Sequence, residues 1–177
     1  AETEEAGIAA VAEIARLLRE RSILLHSDAA QTAGKIPLSP GELGVDLLSL
    51  AGHKIYGPKG AGLLYVRDGT PLAPVLRGAG QERGRRPGTE SVMLAAGLGR
   101  ACRLAGESLA GGIGPRLAAL RDRLEANLVE RIPGARVHGR GAPRLPNTLS
   151  IALPGVVGTE LVAELGDRVA FSAGAAC

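Results

Sequence analysis

The sequence predicts an α/β protein followed by the start of a smaller α+β piece. Three observations carry that expectation: an amphipathic helical stretch that runs into a short apolar run, two more short apolar runs separated by tight loops, and a second half in which helices dominate over brief strand-like segments. Residues 8–20 place Ile8, Val11, Ala15 and Leu18 on one helical face. Ile23, Leu24 and Leu25 then read as a short buried strand ending at the polar His26-Ser27-Asp28. A second strand is expected over 45–50, ending at Ala51-Gly52-His53-Lys54. A third is expected over 62–66, after the turn Tyr56-Gly57-Pro58-Lys59-Gly60. Short, mostly apolar strands of this kind suit a sheet covered on both faces.

Residues 76–87, rich in Gly and Arg, read as a loop, with a helix over 89–105 and a hinge or linker over 106–114. The next helix, 115–132, opens on Pro at its first turn and aligns Leu117, Leu120, Leu124 and Leu128 in one stripe, with Arg121, Asp122, Arg123 and Glu125 elsewhere. Strands over 135–138 and 148–153, a loop between them ending at Pro146, a short helix over 159–165 and a last strand over 169–172 complete the reading. The domain boundary falls near Gly111, giving 1–110 and 111–177.

Composition narrows the function classes. Of 177 residues, 45% are hydrophobic and 22% charged, enough apolar material for a packed core and too much for a disordered chain. Aromatic residues make up only 2%, so the core must come from Ala, Leu, Val and Ile. The 26 Gly and 11 Pro follow no repeat, which excludes collagen. The sequence has neither an uninterrupted apolar run of membrane-spanning length nor a secretory leader pattern, so no membrane association is expected. A net charge of +3, with both signs interleaved and almost no aromatics for stacking, argues against nucleic-acid binding. Two cysteines, Cys102 and Cys177, form no disulfide framework and point to a reducing, cytoplasmic setting. Cys102, mid-helix, reads as a core thiol. The abrupt opening, and the stop at Cys177 after a Gly/Ala run, read as a piece of a longer protein.

Ligands of open α/β sheets collect at the carboxyl ends of strands. Two candidate strands end in reactive side chains there: one in His26, Asp28 and Gln31, the other in His53 and Lys54. Singly these read as a turn residue and surface residues. Jointly, a carboxylate and a lysine able to reach one cleft suit pyridoxal phosphate, where an aspartate keeps the pyridine nitrogen protonated and a lysine forms a Schiff base. The three histidines lack metal-ligand spacing, and Gly57-Pro58-Lys59-Gly60 is no phosphate loop of the Walker type. The cluster Arg83, Arg85 and Arg86 is open to two readings, an anion contact or a solvated, interface-lining loop.

Five motifs stand in order: His26-Ser27-Asp28-Ala29-Ala30-Gln31; Ala51-Gly52-His53-Lys54-Ile55-Tyr56-Gly57-Pro58-Lys59-Gly60; Gln81-Glu82-Arg83-Gly84-Arg85-Arg86-Pro87-Gly88-Thr89-Glu90; Arg144-Leu145-Pro146-Asn147-Thr148; and Ser172-Ala173-Gly174-Ala175-Ala176-Cys177. Together they resemble the cysteine desulfurase family of class V, fold-type I pyridoxal-phosphate enzymes, over almost the whole chain. The resemblance implies that 1–110 is the second half of the cofactor domain and 111–177 the incomplete small domain. It implies pyridoxal 5'-phosphate as cofactor, L-cysteine as substrate, a sulfur-acceptor protein as partner, service to routes such as iron–sulfur cluster assembly, and a homodimer with shared active sites.

Carried over residue by residue, Lys54 is the Schiff-base lysine and proton shuttle, and Asp28 pairs with the ring nitrogen. Gln31 donates to the ring oxygen, and Gly52 and His53 help hold the cofactor and its phosphate. Thr89 resembles the residue that reaches the neighbouring subunit's phosphate. Cys177 resembles the nucleophile that takes sulfur as a persulfide while alanine leaves. Two departures stand out. Ala51 occupies a position where many members have Ser, and Thr3-Glu4-Glu5-Ala6-Gly7 replaces the common Asn-Asn-Glu-Thr-Gly. Members also carry a segment ahead of Ala1, with a phosphate-cradling loop and a ring-stacking histidine, and a tail beyond Cys177 with an arginine for the substrate carboxylate. The same motifs admit two other readings, a selenocysteine lyase and a non-catalytic scaffold of the same fold.

Overall fold

The computed structural model describes residues 3–174. These form two compact units, 8–114 and 115–174 together with 3–7.

Helix α1, Thr3–Arg19, begins earlier than its apolar face predicts and ends within a residue of it. Ala15 is buried, and Arg16 and Arg19 occupy the last turn, where cations complement the helix dipole. Three strands form one sheet in the order β1 (His26–Asp28), β2 (Leu47–Ala51), β3 (Gly62–Val66). β1 runs parallel to β2 and β3 antiparallel to it. The third strand matches its sequence expectation, and the second is shifted by only a residue or two.

The first does not. The 23–25 run is not a strand, and Ile23 and Leu24 are about half exposed. Pairing has a physical starting point further along. Pro40–Leu43 forms a short helix, α2, capped by Ser39 Oγ and closed by Gly44 in the left-handed region (φ 74°). The chain leaves that cap only at Val45, and the backbone bonds between the two segments begin at Leu25, beyond Ile23 and Leu24. The first ties are Asp46 N–H and Leu47 N–H to Leu25 O (2.9 and 3.1 Å) and Leu25 N–H to Asp46 Oδ2 (2.9 Å).

The core of this unit is small-residue packing, as the scarcity of aromatics requires. Ala29, Val45 and Leu48 form one cluster, with Val11, Leu25, Leu38, Leu43 and Tyr65 against it. Ala33, Ile55 and Ala101 form a second, joined by Leu50 and Leu98. Among the described residues the sheet is not covered on both faces, however. Leu63 and Leu64, which point to opposite faces of β3, are 44% and 48% exposed. Helix α3 (Val92–Ala110) packs on the turn that follows β2 rather than across the third strand.

α3 corrects the expected 89–105 helix and the expected 106–114 hinge. The helix runs through Gly106 to Ala110, and only the turn Gly111–Gly112 separates it from α4 (Ile113–Arg131). A glycine within a helix costs about 1 kcal/mol relative to alanine, which does not end a helix whose neighbours favour it. Cys102 is exposed, not a core thiol, because Ala101 takes the inward position. Residues 76–87 form the expected loop, apart from a 3-10 turn at Glu82–Gly84.

In the second unit, β4 (Arg136–Val137) pairs antiparallel with β5 (Ile151–Ala152), and α5 spans Gly158–Leu165. The leucine stripe expected on α4 is not its buried face. Leu120 and Leu124 are 46% and 52% exposed, whereas Glu125 is buried. Arg144 Nη2 lies 2.6 Å from Glu125 Oε2 and Arg140 Nε 3.5 Å from Glu125 Oε1. Arg121, whose side chain is 13% exposed, donates from Nη1 to Leu145 O at 2.8 Å and pairs with Asp122. Partners from the 140–145 loop thus turn a charged face inward. The 148–153 strand contracts to Ile151–Ala152. The 169–172 strand is absent: Arg168 and Val169 N–H groups bond to Leu165 O and wind the chain out of α5, leaving Val169 57% exposed.

Candidate active site

The parallel pairing of β1 with β2 decides what meets at the sheet's carboxyl edge. Asp28 ends β1 in register with Ser49, and Ala29 N–H continues the ladder to Ser49 O at 2.8 Å. The chain then turns. Asp28 Oδ1 accepts from Ala30 N–H at 2.8 Å, a turn that fixes one carboxylate oxygen while the residue stays exposed. Ala29 beneath it is buried, and its carbonyl accepts from Thr32 and Ala33 N–H. Gln31 is exposed on this turn.

β2 ends at Ala51, and the chain enters a 3-10 turn over Gly52–Ile55 that carries His53 and Lys54, both exposed. Its geometry explains the residue types. A Cβ on Gly52 would lie 2.8 Å from Ala61 O, so only glycine allows the turn to close on the start of β3. Gly52 N–H donates to Ala61 O at 2.9 Å, and Gly57 N–H donates to Gly52 O at 2.8 Å. Buried Ile55 pins the turn into the core, and Tyr56 reverses the chain with φ 64°. Lys35 Nζ donates to Lys54 O at 3.5 Å and stands 5.3 Å from the centre of the Tyr56 ring, a cation–π distance.

Asp28, Gln31, His53 and Lys54 therefore reach one sheet edge from two adjacent parallel strands, the position where open α/β sheets bind ligands. Thr89 lies exposed on a separate segment, the loop ahead of α3, where Gly88 N–H donates to Gln81 Oε1 at 3.1 Å. Cys177 and its neighbours Ala175 and Ala176 lie outside the described residues. Ala51 presents a methyl group where a serine would offer a hydroxyl. No group of three His, Cys, Asp or Glu side chains able to hold a metal occurs among the described residues.

Sequence reasoning missed one feature of this edge: His26 Nε2 lies 3.2 Å from Ser49 Oγ, across the strand pair. The sequence offers only its parts, since Ser49 interrupts an apolar run and His26 stands two residues before Asp28, and the pairing of the two appears only with the β1–β2 register. The donor set has the chemistry of a pyridoxal phosphate site: a primary amine for the aldehyde, an anion for a protonated ring nitrogen, and an amide and an imidazole for peripheral oxygens.

Residues 2–177 match the family model described as aminotransferase class-V. The chain belongs to that family. It is 42% identical over 168 residues to a cysteine desulfurase of Klebsiella pneumoniae, covering 94% of this chain and 42% of the relative. It is 44% identical over 178 residues to a cysteine desulfurase of Gluconacetobacter diazotrophicus, covering 100% and 44%. Among solved structures, a NifS-like protein from Rickettsia africae superposes with a TM-score of 0.82 at 30% identity, over 88% of this chain and 43% of that one. The fold is thus the α/β fold of NifS-like proteins, the fold-type I architecture that the motifs imply. The chain spans less than half the length of these relatives.

Proposed function

We propose that the full-length protein is a pyridoxal-phosphate-dependent cysteine desulfurase. The observation that carries this reading is the meeting of Asp28 and the Lys54 turn at one carboxyl edge of the sheet. Lys54 would hold the cofactor covalently, Asp28 its ring nitrogen, Gln31 its ring oxygen, and His53, on the turn that Gly52 closes, the phosphate. Thr89, from its separate loop, would serve the phosphate of a second subunit in a homodimer. When bound there, pyridoxal phosphate supplies an electron sink that stabilises a carbanion at the substrate's α-carbon.

This chain's own residues do the rest. The Asp28 carboxylate, oriented by Ala30 N–H, keeps a positive charge on the ring nitrogen. The Lys54 amine moves a proton at the substrate carbon. The Cys177 thiolate attacks the sulfur of L-cysteine: an S–S bond forms, the C–S bond breaks, and the carbon takes up a proton, leaving a persulfide on Cys177 and alanine as product. The persulfide then passes to an acceptor protein, with iron–sulfur cluster assembly as a fitting destination. A reducing cytoplasm, which keeps the Cys177 thiol available, is the setting this chemistry fits. Residues 1–110 would belong to the cofactor domain and 111–177 to the small domain.

The test is made on the full-length protein. Purified with the cofactor, it should be yellow and lose its visible band on borohydride reduction. It should release alanine from L-cysteine and carry a persulfide by mass spectrometry. Lys54→Ala should abolish covalent cofactor attachment. Cys177→Ala should stay yellow without forming a persulfide, and sulfur transfer by that variant would overturn the nucleophile assignment. A colourless full-length protein would overturn the enzyme reading in favour of a scaffold, and turnover of L-selenocysteine alone would assign it as a selenocysteine lyase.

A further inference from the structure

Among the described residues, His26 and Ser49 make a side-chain-to-side-chain bond between the two strands that carry the site, beyond the Asp46 Oδ2 contact to Leu25 N–H just ahead of both strands. Alternate residues of a strand share a face, so His26 and Asp28 lie on the same side of β1. The register pairs His26 with Leu47 and Asp28 with Ser49. The His26 ring therefore runs diagonally along the sheet toward its carboxyl edge and meets the hydroxyl of the residue abreast of Asp28. β1 is only three residues long, so its alignment to β2 rests on few backbone bonds, the last being Ala29 N–H to Ser49 O. In a ladder that short, one added side-chain bond is a substantial share of what holds the register.

We propose that His26 and Ser49 act as a positioning pair that fixes Asp28, at the end of β1, relative to the Lys54 turn at the end of β2. The inference rests on the cofactor reading above, in which the carboxylate meets the ring nitrogen and the amine meets the aldehyde on the far side of the same ring. The distance between the two strand ends must then match the span of that ring. A pair bonded across those strands, two residues before Asp28 and five before Lys54, sets that distance. Neither residue needs to touch the cofactor for this role.

The test is a double-mutant cycle on the full-length protein, read as the affinity of the apoprotein for added pyridoxal phosphate and as the wavelength of the visible band. His26→Ala and Ser49→Ala should each weaken cofactor binding about 3- to 10-fold, the loss expected for one hydrogen bond. The double variant should be no weaker than the worse single one, because each change removes the same bond. His26→Gln, whose amide can still reach the hydroxyl, should recover most of the affinity. Ser49→Ala removes only a hydroxyl, so it decides the matter should His26→Ala fail to fold. Unchanged affinity in Ser49→Ala, or losses that multiply in the double variant, would overturn the proposal in a wild-type protein that binds the cofactor. A wild-type protein that takes up no pyridoxal phosphate overturns the cofactor reading itself, and this inference with it.

Discussion

Asp28 answers two demands with one carboxylate. Its Oδ1 closes the turn with Ala30 N–H, which is structural, while its charge is what the cofactor reading requires. Asparagine separates the two, because a carboxamide oxygen still accepts from Ala30 but carries no charge. In the full-length protein, Asp28→Asn should therefore bind pyridoxal phosphate yet lose about 10²-fold in alanine release, a magnitude typical of removing a preorganised electrostatic contact. Asp28→Ala loses the turn as well and should also lose cofactor affinity, which equilibrium dialysis reads directly. Glu125 poses the opposite case, a buried carboxylate with a structural role. It meets Arg144 at 2.6 Å and Arg140 at 3.5 Å. Glu125→Ala would strand Arg144, whose side chain is 15% exposed, so it should cost about 3 kcal/mol or more in urea unfolding. Replacing Glu125 with Leu and Arg144 with Met together should recover a large part of that loss, since the desolvation penalty disappears with both charges.

At the scale of elements, the lysine turn shows why part of the fold was legible and part was not. The glycines at 52 and 57, the proline at 58 and the apolar run over 62–66 announce a tight turn and a strand, and they form at those residues. Such signals are local, because each residue type is required by its own backbone. The 23–25 run misled because apolarity does not make a strand without a partner backbone, and α2 withholds that partner until Val45. α4 misled for a similar reason: periodicity cannot show that Arg140 and Arg144, on a loop well beyond the helix, will draw Glu125 inward. The site's two halves were legible as motifs, but His26–Ser49 was not, since it exists only once the β1–β2 register is known. The packing of α3 on the lysine turn is equally specific. A Cβ on Gly97 would lie 2.9 Å from Pro58 Cγ, so that glycine lets the helix approach. Gly97→Val should force the two apart, cost about 1–3 kcal/mol in stability and weaken cofactor retention in the full-length protein; thermal melts and dialysis measure both.

For the whole molecule, exposed apolar surface is the deciding quantity. Large apolar residues lie open in the unit that bears the site: Leu63, Leu64, Leu76, Val92 and Met93 are 44% to 85% exposed, and Val75 and Tyr56 more than 90%. Isolated exposed apolar residues are ordinary, but this many large ones on an α/β unit of about a hundred residues favour association. The relatives that this chain matches are more than twice its length, so the same positions there have far more chain available to cover them. The 177-residue chain expressed by itself should therefore bind a hydrophobic dye strongly and elute in size-exclusion chromatography as an associated species. The full-length protein should bind the dye weakly and elute as a defined oligomer. Val92→Lys with Met93→Glu in the isolated chain should reduce both dye binding and association, because the helix surface gains charge without losing a buried contact. An isolated chain that is monomeric and dye-silent would mean that its small Ala, Val, Leu and Ile core suffices by itself, and that the exposed positions cost it nothing in water.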